Sequence, residues 1–244
     1  MLTAAQPSAH VCTPKTPKEY LDSLPAWDGV KRLDTWLPHV MDETPATAGM
    51  HRMEYLALVG RYWVLGMVNR ATNPGCKFDY CPVLEGGQGF GKSTLIQALT
   101  GPNFFSDAGL DMSWGDVSQE DLEKFWTYEI TELSAYARED LQLIKTSIAA
   151  LSDYTYPPYS QEVKHTPRQF LLVGTTNEDS YRRGLAYRRW LPLPVRHRLN
   201  VQWVKDHRDQ LFAEARLRLH IADFTPDLSA HPGKPRFGRR GGAA

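Results

Sequence analysis

Eight consecutive residues have the types and spacing of a phosphate-binding loop. They run from Gly86 to Ser93 and match the pattern G-x-x-x-x-G-K-[ST] at every required position. Glycines let backbone N–H groups converge on an anion, the lysine reaches the β- and γ-phosphates of a nucleotide, and the serine hydroxyl ligates Mg²⁺. The residues expected to contact ATP are Gly86, Gly87, Gln88, Gly89, Phe90, Gly91, Lys92, Ser93 and Thr94.

The segments on either side of this loop have the order that phosphate binding requires. Residues 83–85 are typical of the end of a buried strand, and residues 93–100 of a helix that ends at Gly101 and Pro102. A helix that begins at the loop directs its free N–H groups and its positive dipole end at bound phosphates. Pro82 cannot donate to a sheet ladder, so we place it at the start of the strand.

Two glutamates close the next predicted strand, over residues 125–130 and just beyond it. Transfer of a phosphoryl group to water requires an acid for the Mg²⁺ shell and a group that orients the water. We assign Glu129, with Ser93, to the metal and Glu132 to the attacking water. The residue types alone also allow the reverse assignment, or a solvated strand end without a role.

Asn177 and a set of arginines follow the most apolar predicted strand, over residues 170–177. The amide of Asn177 either senses the γ-phosphate or only forms a turn. The arginine pairs are 182–183 and 188–189. Guanidinium groups suit the bridging of phosphoryl oxygens in the transition state, which is worth roughly 10³ to 10⁵ in rate. For two of the four arginines we expect only a solvated surface.

Alternating strands and helices predict an α/β fold of the P-loop NTPase type, with a parallel sheet and every candidate residue at the carboxyl end of a strand. Helical spacing of apolar residues predicts an N-terminal helical module over residues 18–75, with Trp36, Tyr62 and Trp63 in its core. The remaining segments are expected to be a disordered lead over 1–17, the ATPase core over 76–196, a C-terminal helix over 197–224 and a flexible basic tail over 225–244.

Composition restricts the function classes. The 28 basic residues balance the 28 acidic ones, so a nucleic-acid surface has to be a local patch. Three cysteines without paired C-x-x-C spacing argue against a zinc module or a disulfide framework. No apolar run approaches the ~18 residues of a membrane span, and the first residues lack the features of a signal peptide. We therefore expect a cytoplasmic protein without membrane contact.

Several stretches together resemble the virulence-associated protein E family. They are Trp27–Val30, Pro74–Tyr80, Leu84–Gly86, Glu129–Leu133, Tyr156–Tyr159, Gly174–Glu178 and Arg188–Trp190. This family occurs in bacteriophages and related mobile elements and is similar to superfamily 3 helicases of the AAA+ class, which act as rings. The resemblance implies that Asn177 is the sensor and that Arg188 or Arg189 is a finger that completes a neighbouring subunit's site.

The resemblance also gives a role to the segment before the sensor strand. Residues 153–166 are predicted to form a β-hairpin or a long ordered loop. In ring helicases of this kind a hairpin grips single-stranded DNA in the central channel. Lys164 and His165 are the expected DNA contacts, and Tyr154, Tyr156 and Tyr159 either stack on bases or pack against the hairpin.

These features predict an ATP-hydrolysing DNA motor that needs ATP and Mg²⁺ and forms a homo-oligomeric ring, expected to be a hexamer. Its expected role is that of a replicative helicase of a phage or similar mobile element, acting on single-stranded DNA. Two alternatives remain open. One is a P-loop phosphotransferase acting on a small molecule, and the other is a nucleotide-dependent loader or regulator that binds a replication protein.

Overall fold

A five-stranded sheet forms the centre of the computed structural model, which describes residues 14–108, 119–155, 164–179, 181, 188–219, 231 and 234. Numbered in chain order, its strands are β1 (Cys81–Glu85), β2 (Phe105–Ser106), β3 (Thr127–Ile130), β6 (Leu171–Thr176) and β7 (Trp190–Pro194). They lie in the order β2-β3-β6-β1-β7, and each neighbouring pair is parallel. A separate antiparallel pair consists of β4 (Ser152–Thr155) and β5 (Lys164–Pro167). The predicted α/β class with a parallel sheet is confirmed.

Both faces of the sheet are buried, which explains the apolar runs of its strands. Successive side chains of a strand point to opposite faces. In β1, Val83 therefore packs into one core and Leu84 into the other, and in β6 Leu172 and Val173 divide in the same way. Parallel sheets covered by helices on both faces favour such continuous apolar strands.

The described part of the chain contains eight α-helices. They are α1 (Pro17–Asp22), α2 (Trp36–Val40), α3 (Pro45–Ala48), α4 (Met50–Thr72), α5 (Lys92–Thr100), α6 (Gln119–Lys124), α7 (Arg138–Ile148) and α8 (Val201–Leu219). All but α3 contribute buried residues to the two faces of the sheet. Buried residues of α1, α2, α4, α5 and α8 pack on one face, and those of α6 and α7 on the other. None of these helices is long and apolar enough to span a membrane.

The N-terminal helices share their core with the sheet. Trp36 and Trp63 are fully buried, with ring centroids 5.8 Å apart, and Tyr62 packs partly buried against the same core. These aromatic residues are core residues, as the spacing predicts. The same core includes Leu84 of β1 and Phe212 of α8. Helices α1, α2 and α4 therefore help to fix the strand that leads into the glycine loop.

The strand order positions the candidate residues. Because β6 lies between β1 and β3, the carboxyl ends of these three strands meet at one edge of the sheet. The opposite edge carries the amino ends, including the start of β7 at Trp190 and the chain that leads from β5 into β6. We call these the carboxyl edge and the amino edge.

Two details differ from the sequence-based expectations. Helical spacing predicts a helix over residues 138–151 with Leu141, Ile144, Ile148 and Leu151 on one face, but helix α7 ends at Ile148 and Leu151 is exposed beyond the helix end. In the segment expected to be a flexible tail, the His231 ring lies 5.7 Å from the ring of Tyr55, and Lys234 is buried. At these two positions the chain packs against the folded part.

Candidate functional site

The glycine loop connects β1 to α5 at the carboxyl edge. At Gly86 a Cβ atom would lie 2.4 Å from the carbonyl oxygen of Val195, so no larger residue fits without a backbone shift. Gly91 is the N-cap of α5 and has a φ of 84°, in the left-handed region that favours glycine. These two glycines let the loop pass close to Val195 at its start and turn into α5 at its end.

Lys92, the first residue of α5, is held inside the loop. Its Nζ donates to the carbonyl oxygens of Gly86 and Gly87 at 2.6 and 2.9 Å, and to Oδ1 of Asn177 at 2.9 Å. Loss of hydration on burial lowers the pKa of Lys92, and the charges of Glu132 and Glu129 oppose this shift. The lysine and the predicted sensor are thus in direct contact although 85 residues separate them in the chain.

Glu129 lies on β3, only 1% exposed, beside the loop. Its Oε1 accepts hydrogen bonds of 2.6 Å from the hydroxyls of Ser93 and Thr175. Burial raises the pKa of Glu129, and these two hydrogen bonds oppose the shift. Its second oxygen, Oε2, is buried without a hydrogen-bond partner among the described residues.

This arrangement fits a Mg²⁺ site that a bound nucleotide would complete. An unpartnered buried carboxylate oxygen beside a serine hydroxyl offers the hard oxygen ligands that Mg²⁺ prefers. Mg²⁺ commonly binds through one or two such groups together with substrate phosphates. Accordingly, the described residues contain no cluster of three or more His, Cys, Asp or Glu side chains that would hold a metal ion by themselves.

The raised pKa of Glu129 predicts that its carboxylate destabilises the nucleotide-free protein above the ordinary glutamate pKa of about 4.3. The folded state binds this proton more tightly than the unfolded state, so stability is lost as pH rises through the folded-state pKa. Glu129→Gln should therefore raise the thermal unfolding midpoint at neutral pH and by less at pH 4, as measured by circular dichroism. The exposed Glu139→Gln is the control, and an equal difference at both pH values would contradict the prediction.

Asn177 follows β6, and its side chain bridges Lys92 and Glu132. While its Oδ1 accepts from Lys92, its Nδ2 donates to Oε1 of Glu132 at 3.0 Å. Glu132 is exposed and has a left-handed backbone, with a φ of 49°, which turns the chain directly after β3. One amide thus holds the lysine and a solvent-accessible carboxylate in fixed relation.

A cavity of about 640 Å³ opens in front of these groups. One wall consists of the glycine loop and the start of α5, and a second carries Glu132, Thr175 and Asn177. The third wall comes from the connection between β7 and α8 and the first turns of α8: Arg198, Leu199, Asn200, Val201, Gln202 and Lys205. Sequence reasoning missed this wall, because no motif marks its basic residues Arg198 and Lys205.

The structure thus brings Lys92, Ser93, Glu129, Glu132 and Asn177 together at the carboxyl edge. Arg188 and Arg189 are not part of this group, because they precede β7 and lie at the amino edge. The expectation that every candidate lies at a carboxyl end is wrong for them. Arg188 is exposed, whereas Arg189 is half-buried and donates from Nη1 to the carbonyl oxygen of Lys145 in α7, at 2.6 Å.

The predicted hairpin is present as β4 and β5, and its base also lies at the amino edge. Lys164 pairs with Thr155 in the ladder, and His165 pairs with Tyr154. The rings of His165 and Tyr154 are exposed, with centroids 5.3 Å apart. The expectation of a carboxyl-end position is therefore wrong for Lys164 and His165 as well.

A buried ion pair fixes the base of this hairpin. The guanidinium of Arg168 donates to both carboxylate oxygens of Asp153. It also donates to the carbonyl oxygen of Ser147 in α7. Other basic and aromatic candidates lie outside the described residues: Tyr156, Tyr159, Arg182, Arg183 and Arg236–Arg240.

Comparison with known proteins identifies a family for this chain and solved structures with a similar fold. Of the solved structures, the A-form apo structure of the NrS-1 C-terminal region matches with a TM-score of 0.50 and 13% identity, covering 90% of this chain and 51% of that one. A second apo structure of that region has a TM-score of 0.49 and 14% identity, covering 79% and 47%.

This chain thus spans about half the length of the solved structures that it matches. At such low identity the likeness concerns the fold alone. A search of curated proteins found no match. The model of the virulence-associated protein E-like domain matches residues 21–227, which include the glycine loop, both glutamates, Asn177 and the wall formed by α8. The chain belongs to the virulence-associated protein E-like family.

Proposed function

We propose that this protein is a P-loop ATPase of the AAA+ type, similar to superfamily 3 helicases, that works as a ring-forming DNA motor during replication of a phage-like mobile element. The observation that carries the proposal is the contact of Lys92 with Asn177 and of Ser93 with Glu129 at the edge of one cavity. A phosphate-binding lysine, a metal-holding acid and a polar sensor then act on the same phosphate groups.

Each side chain has a defined task in hydrolysis. The N–H groups of the glycine loop and Lys92 bind the phosphates, and Lys92 exchanges the carbonyl oxygens of Gly86 and Gly87 for phosphate oxygens. Ser93 and Glu129 would hold Mg²⁺, which would supply positive charge to the phosphate groups. Glu132 accepts a proton from the attacking water, and Asn177 orients that carboxylate.

The positive charge that completes the transition state comes, in this proposal, from Arg188 of a neighbouring subunit. Arg188 precedes Pro194, the residue paired with Glu85 next to the loop, by six positions. At ~3.3 Å per residue they span roughly 20 Å, too far for Arg188 to reach the cavity of its own chain. Because Arg189 donates to the backbone carbonyl oxygen of Lys145 in its own chain, we assign the arginine finger to Arg188 and not to Arg189.

DNA contact is assigned to the hairpin residue Lys164 and to the exposed residues His165 and Tyr154. Lysine attracts backbone phosphates, and exposed aromatic rings stack on bases. Two elements connect the hairpin to the cavity, because α7 joins Glu132 to β4, and β6 joins β5 to Asn177. Arg168 links both elements at the hairpin base. In this proposal, a conformational change at Asn177 or Glu132 is transmitted to the hairpin through α7 and β6.

The motor proposal predicts that single-stranded DNA accelerates ATP hydrolysis and that particle mass increases when ATP is added. The experiment measures the rate of phosphate release with and without an oligonucleotide, together with mass photometry in the presence of ATP. A monomer that hydrolyses ATP at a rate independent of DNA would contradict the motor and leave the ATPase assignment standing. Absence of hydrolysis with and without DNA would contradict both.

A further inference from the structure

We infer that Arg198 and Lys205 form a basic wall that binds the phosphate groups of the nucleotide held by the same chain. The inference rests on the proposed nucleotide site and adds ligands to it. Both residues line the same cavity as Lys92 and Glu132. They belong to the connection after β7 and to the second turn of α8, far in sequence from the glycine loop.

The side chains of Arg198 and Lys205 have no protein partner in the described part of the chain, unlike the arginines of α8. Arg208 donates to the carbonyl oxygens of Leu99 and Thr100, Arg216 pairs with Asp22, and Arg218 pairs with Asp34. Arg198 and Lys205 have no hydrogen bond or ion pair within the described residues, and both are exposed in the cavity. Unpaired cations on a cavity wall favour an anionic ligand.

The charges of the cavity match such a ligand. Lys92, Arg198 and Lys205 contribute three cations, and Glu132 carries the only carboxylate among the described residues that line the cavity. That carboxylate already accepts from Asn177. A nucleoside triphosphate is still anionic after it binds Mg²⁺, so excess positive charge in the cavity is complementary to it.

The wall is fixed to the phosphate-binding loop by backbone contacts. The N–H of Leu199 donates to the carbonyl oxygen of Phe90 at 2.9 Å, in the middle of the loop. The side chain of Asn200 accepts from the N–H of Trp203 at 3.2 Å and so caps the start of α8. Arg198 and Lys205 flank these anchors, and both residues line the cavity in front of the loop.

The test measures binding of three Mg²⁺-nucleotides to the full chain: the β,γ-imido analogue of ATP, ADP and AMP. Competition with a fluorescent nucleotide gives each Kd for wild type, Arg198→Gln, Lys205→Gln and the double variant. We expect the double variant to bind the triphosphate analogue about tenfold more weakly, with a smaller loss for ADP and the smallest for AMP. Arg196→Gln is the matched control, because Arg196 is exposed in the same connection and lies outside the cavity.

Two results would overturn the basic wall while the proposed site stands. One is a double variant that binds all three nucleotides like Arg196→Gln. The other is an equal loss for all three, which would place the two side chains against the part that the three share, the nucleoside and its α-phosphate, and not against the β- and γ-phosphates. In both cases Lys92→Ala would still lose triphosphate binding. A wild-type protein that binds none of the three nucleotides would instead overturn the proposed function, and the wall with it. Unfolding midpoints of all variants verify the fold.

Discussion

Replacement of Arg188 by alanine is expected to reduce ATP hydrolysis by the assembled protein by roughly 10³-fold or more, the range that an arginine finger contributes. Arg188 is exposed at the amino edge and does not line its own cavity. Its loss should therefore leave the unfolding midpoint and the Kd for nucleotide nearly unchanged. Rate of phosphate release, thermal unfolding and nucleotide titration measure the three quantities separately.

Mixing of subunits tests whether Arg188 acts across an interface. Arg188→Ala subunits retain the glycine loop, and Lys92→Ala subunits retain the finger, so a mixture of the two inactive proteins should recover part of the activity. Arg189→Ala should instead lower the unfolding midpoint, because it removes a charged hydrogen bond to the end of α7. If no mixture recovers activity while both variants still assemble, the finger assignment is wrong.

Glu132→Gln is expected to lower kcat by about 10²- to 10⁴-fold, the contribution of a positioned general base. The amide oxygen of glutamine still accepts from Asn177, so the loop and the nucleotide affinity should be preserved. Single-turnover hydrolysis and nucleotide titration separate the two effects. The isosteric change removes the proton acceptor and little else.

Glu139→Gln is the matched control for this variant, since Glu139 is an exposed glutamate in the first turn of α7, outside the cavity. It should hydrolyse ATP at the wild-type rate. A Glu132→Gln protein with wild-type kcat would contradict the assignment of Glu132 as the general base. It would also exclude the assignment of Glu129 to Mg²⁺ and Glu132 to the attacking water.

The loop and its nearest partners are the part of the site that sequence predicts well. The spacing from Gly86 to Ser93 is local, and each residue type has a separate physical requirement. Glu129 and Asn177 were predictable because Glu129 lies near the end of one strand, Asn177 follows another, and parallel strands share one carboxyl edge. The sequence also gives the order of Glu129 and Asn177 along the chain. It does not predict that Asn177 contacts both Lys92 and Glu132.

The parts that sequence missed depend on contacts between distant segments. No motif marks Arg198 and Lys205, which reach the cavity only because Leu199 pairs with Phe90. The expectation that Arg188 lies at the carboxyl edge is wrong because Arg188 precedes β7. The residues before a strand and those after it lie at opposite edges of the sheet. Strand β2, with two residues, is too short for a periodic pattern.

The central claim, that Lys92 serves ATP hydrolysis, is tested most directly by the rate of phosphate release of wild type and Lys92→Ala in the presence of single-stranded DNA. Lys77→Ala is the control, because Lys77 is an exposed lysine outside the cavity. We predict turnover by wild type and Lys77→Ala, and a rate at the uncatalysed background for Lys92→Ala. Equal rates of hydrolysis by wild type and Lys92→Ala would contradict the account.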